Sequence, residues 1–348
     1  MNMPPHDVLR PFIIPVFIPH AGCPHRCAFC NQLVITGGPD SLPSAESLFS
    51  HIRNFLKFRK PYHTPVQISF YGGNFLGVEE AALQQLLAEA TKFIQTGQVD
   101  GIRFSTRPDT VTPHRLNILQ QYPVQTVELG AQSMNDRVLR LSRRGHTAAH
   151  TKIALHALRG FDYDIGLQMM VGLPGDDDDT AMQTAERIAA LLPDFVRIYP
   201  TLVLENSRLA AWYRQGAYTP LSLESAVTLV KKLYLFFQQK HIPVIRMGLQ
   251  ASEGLLAQDA IVAGPYHPAF GHLVHSEIFL DKARAGLSAQ TAPIRNVSFG
   301  LHPNSIPKMR GLKNANLTQL KADYQINSIA LVPDASLSFD ALRVEIKK

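Results

Sequence analysis

The segment "PVQISFYGGNFLGVEEAALQQLLAEATKFI" (65–94) contains one complete unit of the predicted fold. An apolar run of strand length, 65–71, is followed by a Gly-Gly turn and then by 79–94, where apolar residues recur at helical spacing. This order of strand, turn and helix repeats about six or seven times between residues 12 and 249. Such a repeat predicts a parallel sheet, because parallel neighbours need a crossover that a helix usually provides.

The remaining elements follow the same rule. The other strands are predicted at 12–18, 101–106, 126–132, 164–172, 194–203 and 242–249. The other helices are predicted at 44–58 with Ser44 as N-cap, from Pro113, and at 134–142, 148–160, 179–192 and 223–239. No Gly-rich phosphate fingerprint follows the first strand, which weakens a dinucleotide-binding open sheet.

We therefore predict an α/β fold built as a partial (β/α)6-type TIM barrel over residues 1–250. Polar or Gly-rich segments follow several of the strands, which is typical of functional residues in barrel enzymes. After residue 250 the alternation stops, and "IRNVSFGLHPNSI" and "NSIALVPDASLSFDALRVEI" read as further strands. Residues 251–348 are accordingly predicted to form a small C-terminal α+β extension.

The composition is that of an ordinary globular protein, with 45% hydrophobic and 18% charged residues. No apolar run approaches the roughly 18 residues of a membrane span, and the N-terminus lacks the features of a signal peptide. The formal charge of +6 is compatible with RNA but also with many enzymes of small molecules. We expect a cytoplasmic protein without a membrane partner.

All three cysteines of the chain lie in "PHAGCPHRCAFCNQ" (19–32), directly after the first strand. Cys23, Cys27 and Cys30 have the spacing C-x3-C-x2-C, whereas an electron-transfer cubane cluster takes four cysteines. Three thiolates would leave one iron open to a small molecule. The alternative is a structural zinc site completed by a nearby histidine, although zinc ligands normally come in pairs along the sequence.

With Phe29 before its last cysteine, this loop resembles that of the radical S-adenosylmethionine (SAM) superfamily. The resemblance implies a [4Fe–4S] cluster on Cys23, Cys27 and Cys30, with SAM chelating the open iron. It also implies reductive cleavage of SAM to a 5′-deoxyadenosyl radical, with flavodoxin or ferredoxin as electron donor. The cofactor-binding residues implied in this way are Phe29, Gly72, Gly73, Asn74, Gln132, Gly172, Leu173 and Pro174.

These residues come from the cysteine loop and from three further motifs, "GGNF", "ELGAQS" and "GLPG". "GGNF" would offer backbone groups to the SAM amino group, because glycine permits close approach. "GLPG" (172–175) would lie near the adenine, and the following "DDDD" (176–179) is read as a helix cap rather than as a metal site. Arg107, Glu128 and Gln132 are candidates for catalytic contacts to SAM or substrate, with a buried ion pair between strands as the alternative.

Two long segments, 127–175 and 197–227, closely resemble the Elongator catalytic-subunit family, and the resemblance covers about residues 11–249. That family modifies tRNA wobble uridine and carries an acetyltransferase domain, but nothing after residue 250 matches its acetyl-CoA loop pattern. We expect a short stand-alone form that acts on an unidentified substrate, with RNA or tRNA as a candidate partner.

Two other functions are open. The first is an Elongator-like RNA-binding protein that keeps the cluster for structure. The second is a coproporphyrinogen-oxidase-like radical SAM enzyme. The second is disfavoured because that type has a further cysteine two places after the third, where this chain has Gln32.

Histidines and basic residues supply the last candidates. His267, His272 and His275 lie in 263–277, which is read as a Gly- and Pro-containing loop, and could line the barrel opening. The basic stretches 51–60, 140–144 and 308–313 could bind nucleic acid, although solvated helix faces explain them equally well.

Overall fold

A computed structural model describes residues 10–18, 20–32, 41–249, 255, 260–289 and 294–347. Its strands are β1 (Arg10–Phe17), β2 (His63–Tyr71), β3 (Gly101–Thr106), β4 (Val124–Gln132), β5 (Asp164–Val171), β6 (Phe195–Pro200), β7 (Val203–Leu204), β8 (Val244–Met247), β9 (Ile261–Ala263), β10 (Asn296–Leu301), β11 (Ser328–Pro333) and β12 (Arg343–Lys347). Its helices are α1 (Ala45–Leu56), α2 (Glu80–Gln95), α3 (Pro113–Leu119), α4 (Asp136–Leu141), α5 (Ala148–Leu158), α6 (Asp178–Ala189), α7 (Arg208–Arg214), α8 (Leu223–Gln239), α9 (Phe270–Ser288), α10 (Ile306–Arg310) and α11 (Ala315–Tyr324). Single 3-10 turns lie at Phe75–Gly77, Pro108–Thr110, Pro303–Ser305 and Leu312–Asn314.

Seven strands form one parallel sheet in the order β1-β2-β3-β4-β5-β6-β8. Because β1 and β8 are the two ends of this order, the curled sheet is a partial barrel that stays open between them. The prediction of an α/β partial TIM barrel is confirmed. The carboxyl ends of all seven strands meet at one rim, which is where such folds place their functional residues.

Alternation along each strand separates two faces. Apolar residues such as Ile68, Phe104 and Val127 belong to the large hydrophobic core shared with the helices. Their neighbours in the chain face the barrel interior, which is largely polar. The helices begin where the sequence supplies a cap: the Ser44 hydroxyl accepts a hydrogen bond from the Ser47 amide at the start of α1.

The predicted strand at 194–203 is wrong in its last three residues. β6 ends at Pro200, and the amide and hydroxyl of Thr201 both donate to the carbonyl of Val171 at the end of β5. Val203 and Leu204 then form β7, which pairs antiparallel with β9.

The C-terminal part forms a three-stranded sheet in the order β11-β10-β12 over a second, smaller hydrophobic core. The strands predicted after residue 294 are therefore present. The interpretation of 263–277 as a loop is wrong in its second half, because His272 and His275 lie on α9. The domain boundary at residue 250 stays a prediction, and 250–254 lie outside the described residues.

No helix in the described part of the chain is long and apolar enough to cross a membrane.

The amino end of the barrel is filled by side chains for which glycines make room. A Cβ on Gly166 would lie 2.1 Å from the Phe195 ring. We predict that Gly166→Ala lowers the free energy of unfolding by about 1–3 kcal/mol, because the ring must move in a packed interior. Urea denaturation measures this.

Gly160→Ala is the matched control. Its added Cβ would lie 3.5 Å from the Ala157 carbonyl oxygen, an ordinary contact, so a change below about 0.5 kcal/mol is expected. Equal stabilities of the two variants would contradict the packing described for Phe195.

Candidate active site

The cysteine loop leaves the carboxyl end of β1 and closes in tight turns. The amide of Cys23 donates to the carbonyl of His20, and that of Cys30 to the carbonyl of Cys27, both at 3.2 Å. Cys27 is buried, and Cys23 and Cys30 are half-buried. The three thiols lie close enough to one another that Cys27 acts electrostatically on Cys23, and both act on Cys30.

Gly73 and Asn74, just after β2, hold the start of this loop. The Asn74 amide donates to the Ala21 carbonyl, and its Nδ2 donates to the Gly22 carbonyl, both at 2.8 Å. A Cβ on Gly73 would lie 2.4 Å from the carbonyl oxygen of Ile18, so a larger residue would push the two segments apart. The Gly-Gly motif therefore sets how closely β2 approaches the cysteine loop.

The Asn74 side chain also reaches the end of β3. Its Oδ1 accepts hydrogen bonds from the hydroxyls of Thr106 (2.7 Å) and Thr110 (2.8 Å) and from the amide of Arg107 (3.0 Å). Asn74 is fully buried, so its amide group is used within the protein. That Gly72, Gly73 and Asn74 also contact SAM stays a prediction.

Arg144 is the residue that sequence reasoning missed. It was placed in a basic surface stretch, but its side chain is buried, with Nη1 3.3 Å from the Cys27 sulfur. Its Nη2 donates to the Gly130 carbonyl at 2.8 Å, and its Nε has no hydrogen-bond partner among the described residues. Burial against a thiol 117 residues away leaves no periodic signal in the sequence. The nearest hint is the Arg-x-His pattern that Arg144 forms with His146.

The charges around the loop act on the thiols in opposite directions. Burial raises the pKa of Cys23 and Cys30, and neighbouring thiols raise it further, whereas Arg144 lowers it. Burial, reinforced by the charges of Arg144 and Arg107, lowers the pKa of His146 to about 3. His146 is therefore neutral at pH 7, and its Nε2 donates to the Ala131 carbonyl at 3.3 Å.

Arg107 follows β3 at the same rim and is almost completely buried. Its Nε and Nη2 form a bidentate pair with the Asp109 carboxylate, at 2.9 and 2.8 Å. Its Nη1 is buried without a partner in the described part of the chain. The ion pair fixes the guanidinium and leaves one donor that a bound group could satisfy.

Glu128 lies deeper in the barrel and is held on several sides. It pairs with Arg103 at 2.5 Å and with Arg197 at 2.7 Å, and it accepts a hydrogen bond from the Tyr71 hydroxyl at 3.2 Å. The alternative interpretation, a buried ion pair between strands, describes this geometry. A catalytic role for Glu128 stays a prediction, as does one for Arg107.

Gln132 ends β4 at an irregular register with β5, and its backbone has φ +63°. Its Oε1 accepts a hydrogen bond from Gln168 at 3.0 Å. This left-handed conformation, uncommon for a residue other than glycine, turns the chain at the rim next to Gly130. A contact between Gln132 and SAM or substrate stays a prediction.

Phe29 and the "GLPG" turn lie on the flank of the loop. Phe29 packs against a small cluster that includes Val203, Leu209 and Tyr218. The Tyr218 hydroxyl donates to the Gly172 carbonyl at 2.6 Å. A cavity of about 530 Å³ opens here, lined by Gly172, Leu173, Pro174, Gly175, Asp176, Arg137, Leu141, Trp212, Ala217, Tyr218, Thr219 and Leu221.

The aspartate run caps its neighbours, as predicted for 176–179. Asp177 is the N-cap of α6, and its carboxylate accepts a hydrogen bond from the Thr180 amide at 2.8 Å. Asp176 accepts one from the Gly172 amide at 3.0 Å and so closes the "GLPG" turn. Burial raises the pKa of Asp176 to about 7.

The donor set and its surroundings fit a cubane cluster. Among the described residues, no group of three or more His, Cys, Asp or Glu side chains is arranged to hold a single metal ion. A cubane sets a different requirement, because its three cysteines bind three separate irons and their sulfurs need not converge on one point. Three soft thiols suit iron–sulfur chemistry, and Arg144 places a cation beside them.

Two family models match consecutive parts of the chain. The model described as Radical SAM superfamily matches residues 17–188, and the Radical_SAM C-terminal domain matches 193–279. This chain belongs to the radical SAM superfamily. Enzymes of this superfamily use a [4Fe–4S] cluster and SAM, so the prediction of a radical SAM enzyme with these two cofactors is confirmed.

Several of the similar proteins are named as Elongator subunits or tRNA uridine(34) acetyltransferases, which is consistent with the predicted Elongator-like branch. A tRNA uridine(34) acetyltransferase of Dehalococcoides mccartyi is 30% identical over 230 residues, covering 57% of this chain and 50% of that protein. An uncharacterized protein of Methanocaldococcus jannaschii is 28% identical over 236 residues, covering 63% of this chain and 70% of that protein. The structure of Elp3 from Methanocaldococcus infernus shares the fold, with a TM-score of 0.61 at 20% identity over 80% of this chain and 64% of that chain.

Removal of the Asn74 side chain tests whether it links the turn after β2 to the cysteine loop and to the end of β3. We predict that Asn74→Ala lowers the free energy of unfolding by about 2 kcal/mol or more, because several buried polar groups lose their partner. Asn54→Ala, at an exposed position of α1, is the matched control and should change stability little. Similar urea midpoints for both variants would show that Asn74 does not stabilise this site.

Proposed function

We propose that Cys23, Cys27 and Cys30 hold the [4Fe–4S] cluster of this radical SAM enzyme and leave its fourth iron for SAM. The observation that carries the proposal is the concentration of every cysteine of the chain on one loop at the barrel rim, with the buried Arg144 guanidinium 3.3 Å from one sulfur. When bound, the cluster and SAM supply a 5′-deoxyadenosyl radical that abstracts hydrogen from a substrate.

The chain's own residues position and shield this chemistry. Gly73 and Asn74 hold the loop against β2, and the buried guanidinium of Arg144 offsets the negative charge of thiolates. Phe29 closes the flank of the loop by packing into an apolar cluster that excludes water. Gly172, Leu173 and Pro174 line the neighbouring cavity, which supports a role for this turn in holding the adenosine of SAM.

We further propose RNA, and tRNA in particular, as the partner that carries the substrate. The matches to tRNA uridine(34) acetyltransferases and the formal charge of +6 support an RNA partner. The chain spans 28% to 50% of the length of those relatives, so neither their substrate nor their acetyl transfer is carried over by similarity alone. The electron donor is proposed to be a flavodoxin or ferredoxin.

The cluster assignment predicts the fate of SAM. In anaerobically reconstituted protein with dithionite, Cys27→Ala should lower the formation of 5′-deoxyadenosine to the level of a blank without reductant. Chromatography of the nucleoside measures this, and iron and sulfide are assayed in the same samples. Asn54→Ala, prepared in parallel, should cleave SAM as the wild type does.

Two results would contradict the assignment. In the first, Cys27→Ala cleaves SAM at the wild-type rate. In the second, wild-type protein takes up zinc in place of iron and sulfide.

Binding of RNA is tested separately. We predict that unmodified tRNA binds at low salt and that its dissociation constant rises about tenfold or more between 50 and 200 mM salt, because phosphate contacts release counterions. A gel-shift titration of wild-type protein measures this, with uncharged polymer as a competitor control. If tRNA is not bound at 50 mM salt, RNA is not the partner.

A further inference from the structure

The barrel interior carries more positive than negative charge. Arg103 on β3 and Arg197 on β6 both pair with Glu128, and no other carboxylate among the described residues pairs with either of them. Asp164, whose charge also acts on Arg103, is exposed at the amino end of β5 and forms no ion pair with it. Two guanidinium groups therefore share one carboxylate, and a buried excess charge is costly unless a partner offsets it.

Arg246 adds a third guanidinium to the same face. It is paired with Arg197 in the parallel register of β6 and β8, and residues paired in this way project to the same side of a sheet. It is half-buried, and its Nε is 3.4 Å from the Gly248 carbonyl, toward the carboxyl end of the strand. Among the described residues, no carboxylate lies within ion-pair distance of it.

Arg246 stands at the open side of the barrel. β8, which carries Arg246, is one end of the seven-stranded sheet, and β1 is the other. At the carboxyl end of β1, on the opposite edge of the gap, the Phe17 ring is 40% exposed. A molecule entering through this gap toward the cysteine loop would pass between Phe17 on one edge and Arg246 on the other.

A hydroxyl completes the cationic edge. Tyr199 lies two residues after Arg197 on the same face of β6, and its oxygen accepts a hydrogen bond from Arg197 Nη1 at 3.1 Å. Because the oxygen accepts from the guanidinium, its own proton is left to donate to another group. Arg246 and Tyr199 thus present donors beside Arg197, whose nitrogens contact Glu128, Tyr199 and Tyr71, and no second acid among the described residues pairs with this group.

We propose that Arg246, supported by Arg197 and Tyr199, binds an oxyanion of the substrate, a carboxylate or a phosphate, at the open edge of the barrel. This rests on the proposed function in that the anion belongs to the molecule that reacts there. A guanidinium binds either oxyanion through two parallel hydrogen bonds, which fixes orientation as well as position. The site would hold one end of the substrate while its reactive carbon faces the cysteine loop.

The test is a calorimetric titration of the full-length, reconstituted protein with inorganic phosphate, without reductant. Wild-type protein should bind phosphate, and Arg246→Gln should weaken binding about tenfold or more, the loss expected for a charge-assisted hydrogen bond. Arg246→Lys keeps the charge but loses the planar fork, so it should lose less affinity. Arg53→Gln removes the same charge from α1 on the outside of the barrel and should bind as wild type does.

Two further probes identify the source of the anion. Tighter binding of uridine 5′-monophosphate than of phosphate or uridine, lost in Arg246→Gln, would support a nucleotide phosphate. Competition by acetate but not by the nucleotide would support a small carboxylic acid.

Three results overturn the proposal: no binding of any of these anions by wild-type protein, an Arg246→Gln variant that binds phosphate as wild type does, or an equal loss in Arg53→Gln. Thermal unfolding of each variant establishes that it is folded. Because no SAM cleavage is needed, a failure here is distinct from a failure of the cluster assignment.

Discussion

The buried side chain of Asn74 connects three segments on which the site depends. Its Nδ2 holds the cysteine loop through the Gly22 carbonyl, and its Oδ1 holds the end of β3 through Thr106 and the Arg107 amide. The cysteine loop has little secondary structure of its own, so such contacts determine where its thiols lie. An amide is suited to this position because it donates and accepts at once and carries no charge into the core.

Other contacts hold the far end of the loop. The Ala28 amide donates to the Ser142 carbonyl at 2.9 Å, and the Ala28 carbonyl accepts from the Leu209 amide at 2.8 Å. Asn31 Nδ2 donates to the Glu205 carbonyl at 2.7 Å. The loop is therefore fixed by β2, by the segment after α4 and by the segment around α7. This gives the thiols a defined position without a regular element beneath them.

The sequence predicted the barrel because period-2 apolar runs and helical spacing alternate without interruption over most of the chain. Helix α8 was predicted with its observed limits, 223–239, and Ser44 as the cap of α1. Local patterns cannot report contacts between distant residues, which is why the buried Arg144 was assigned to a surface. The end of β6 was missed for a similar reason, since the residues that follow it, Val203 and Leu204, pair with β9, about 60 residues away in the sequence.

The candidate site could likewise be predicted only in part from the sequence. The cysteines were found from residue type and spacing. The "GGN" and "GLPG" turns were found from their place after strands and from the family resemblance, with glycine permitting close backbone approach. The surroundings of Glu128 required the sheet order, which brings Arg103 and Arg197 to it from strands on either side. The two guanidinium groups exceed the one carboxylate, so the interior is cationic at Glu128 as well as near the rim, a distribution suited to negatively charged groups.

The central claim is that three cysteines hold a cluster with one iron open to SAM. The most direct measurement is the electron paramagnetic resonance spectrum of the reduced, reconstituted protein with and without SAM. If SAM binds the open iron, its addition should change the spectrum of the cluster in wild-type protein. A cluster spectrum that SAM leaves unchanged at saturating concentration would contradict the claim.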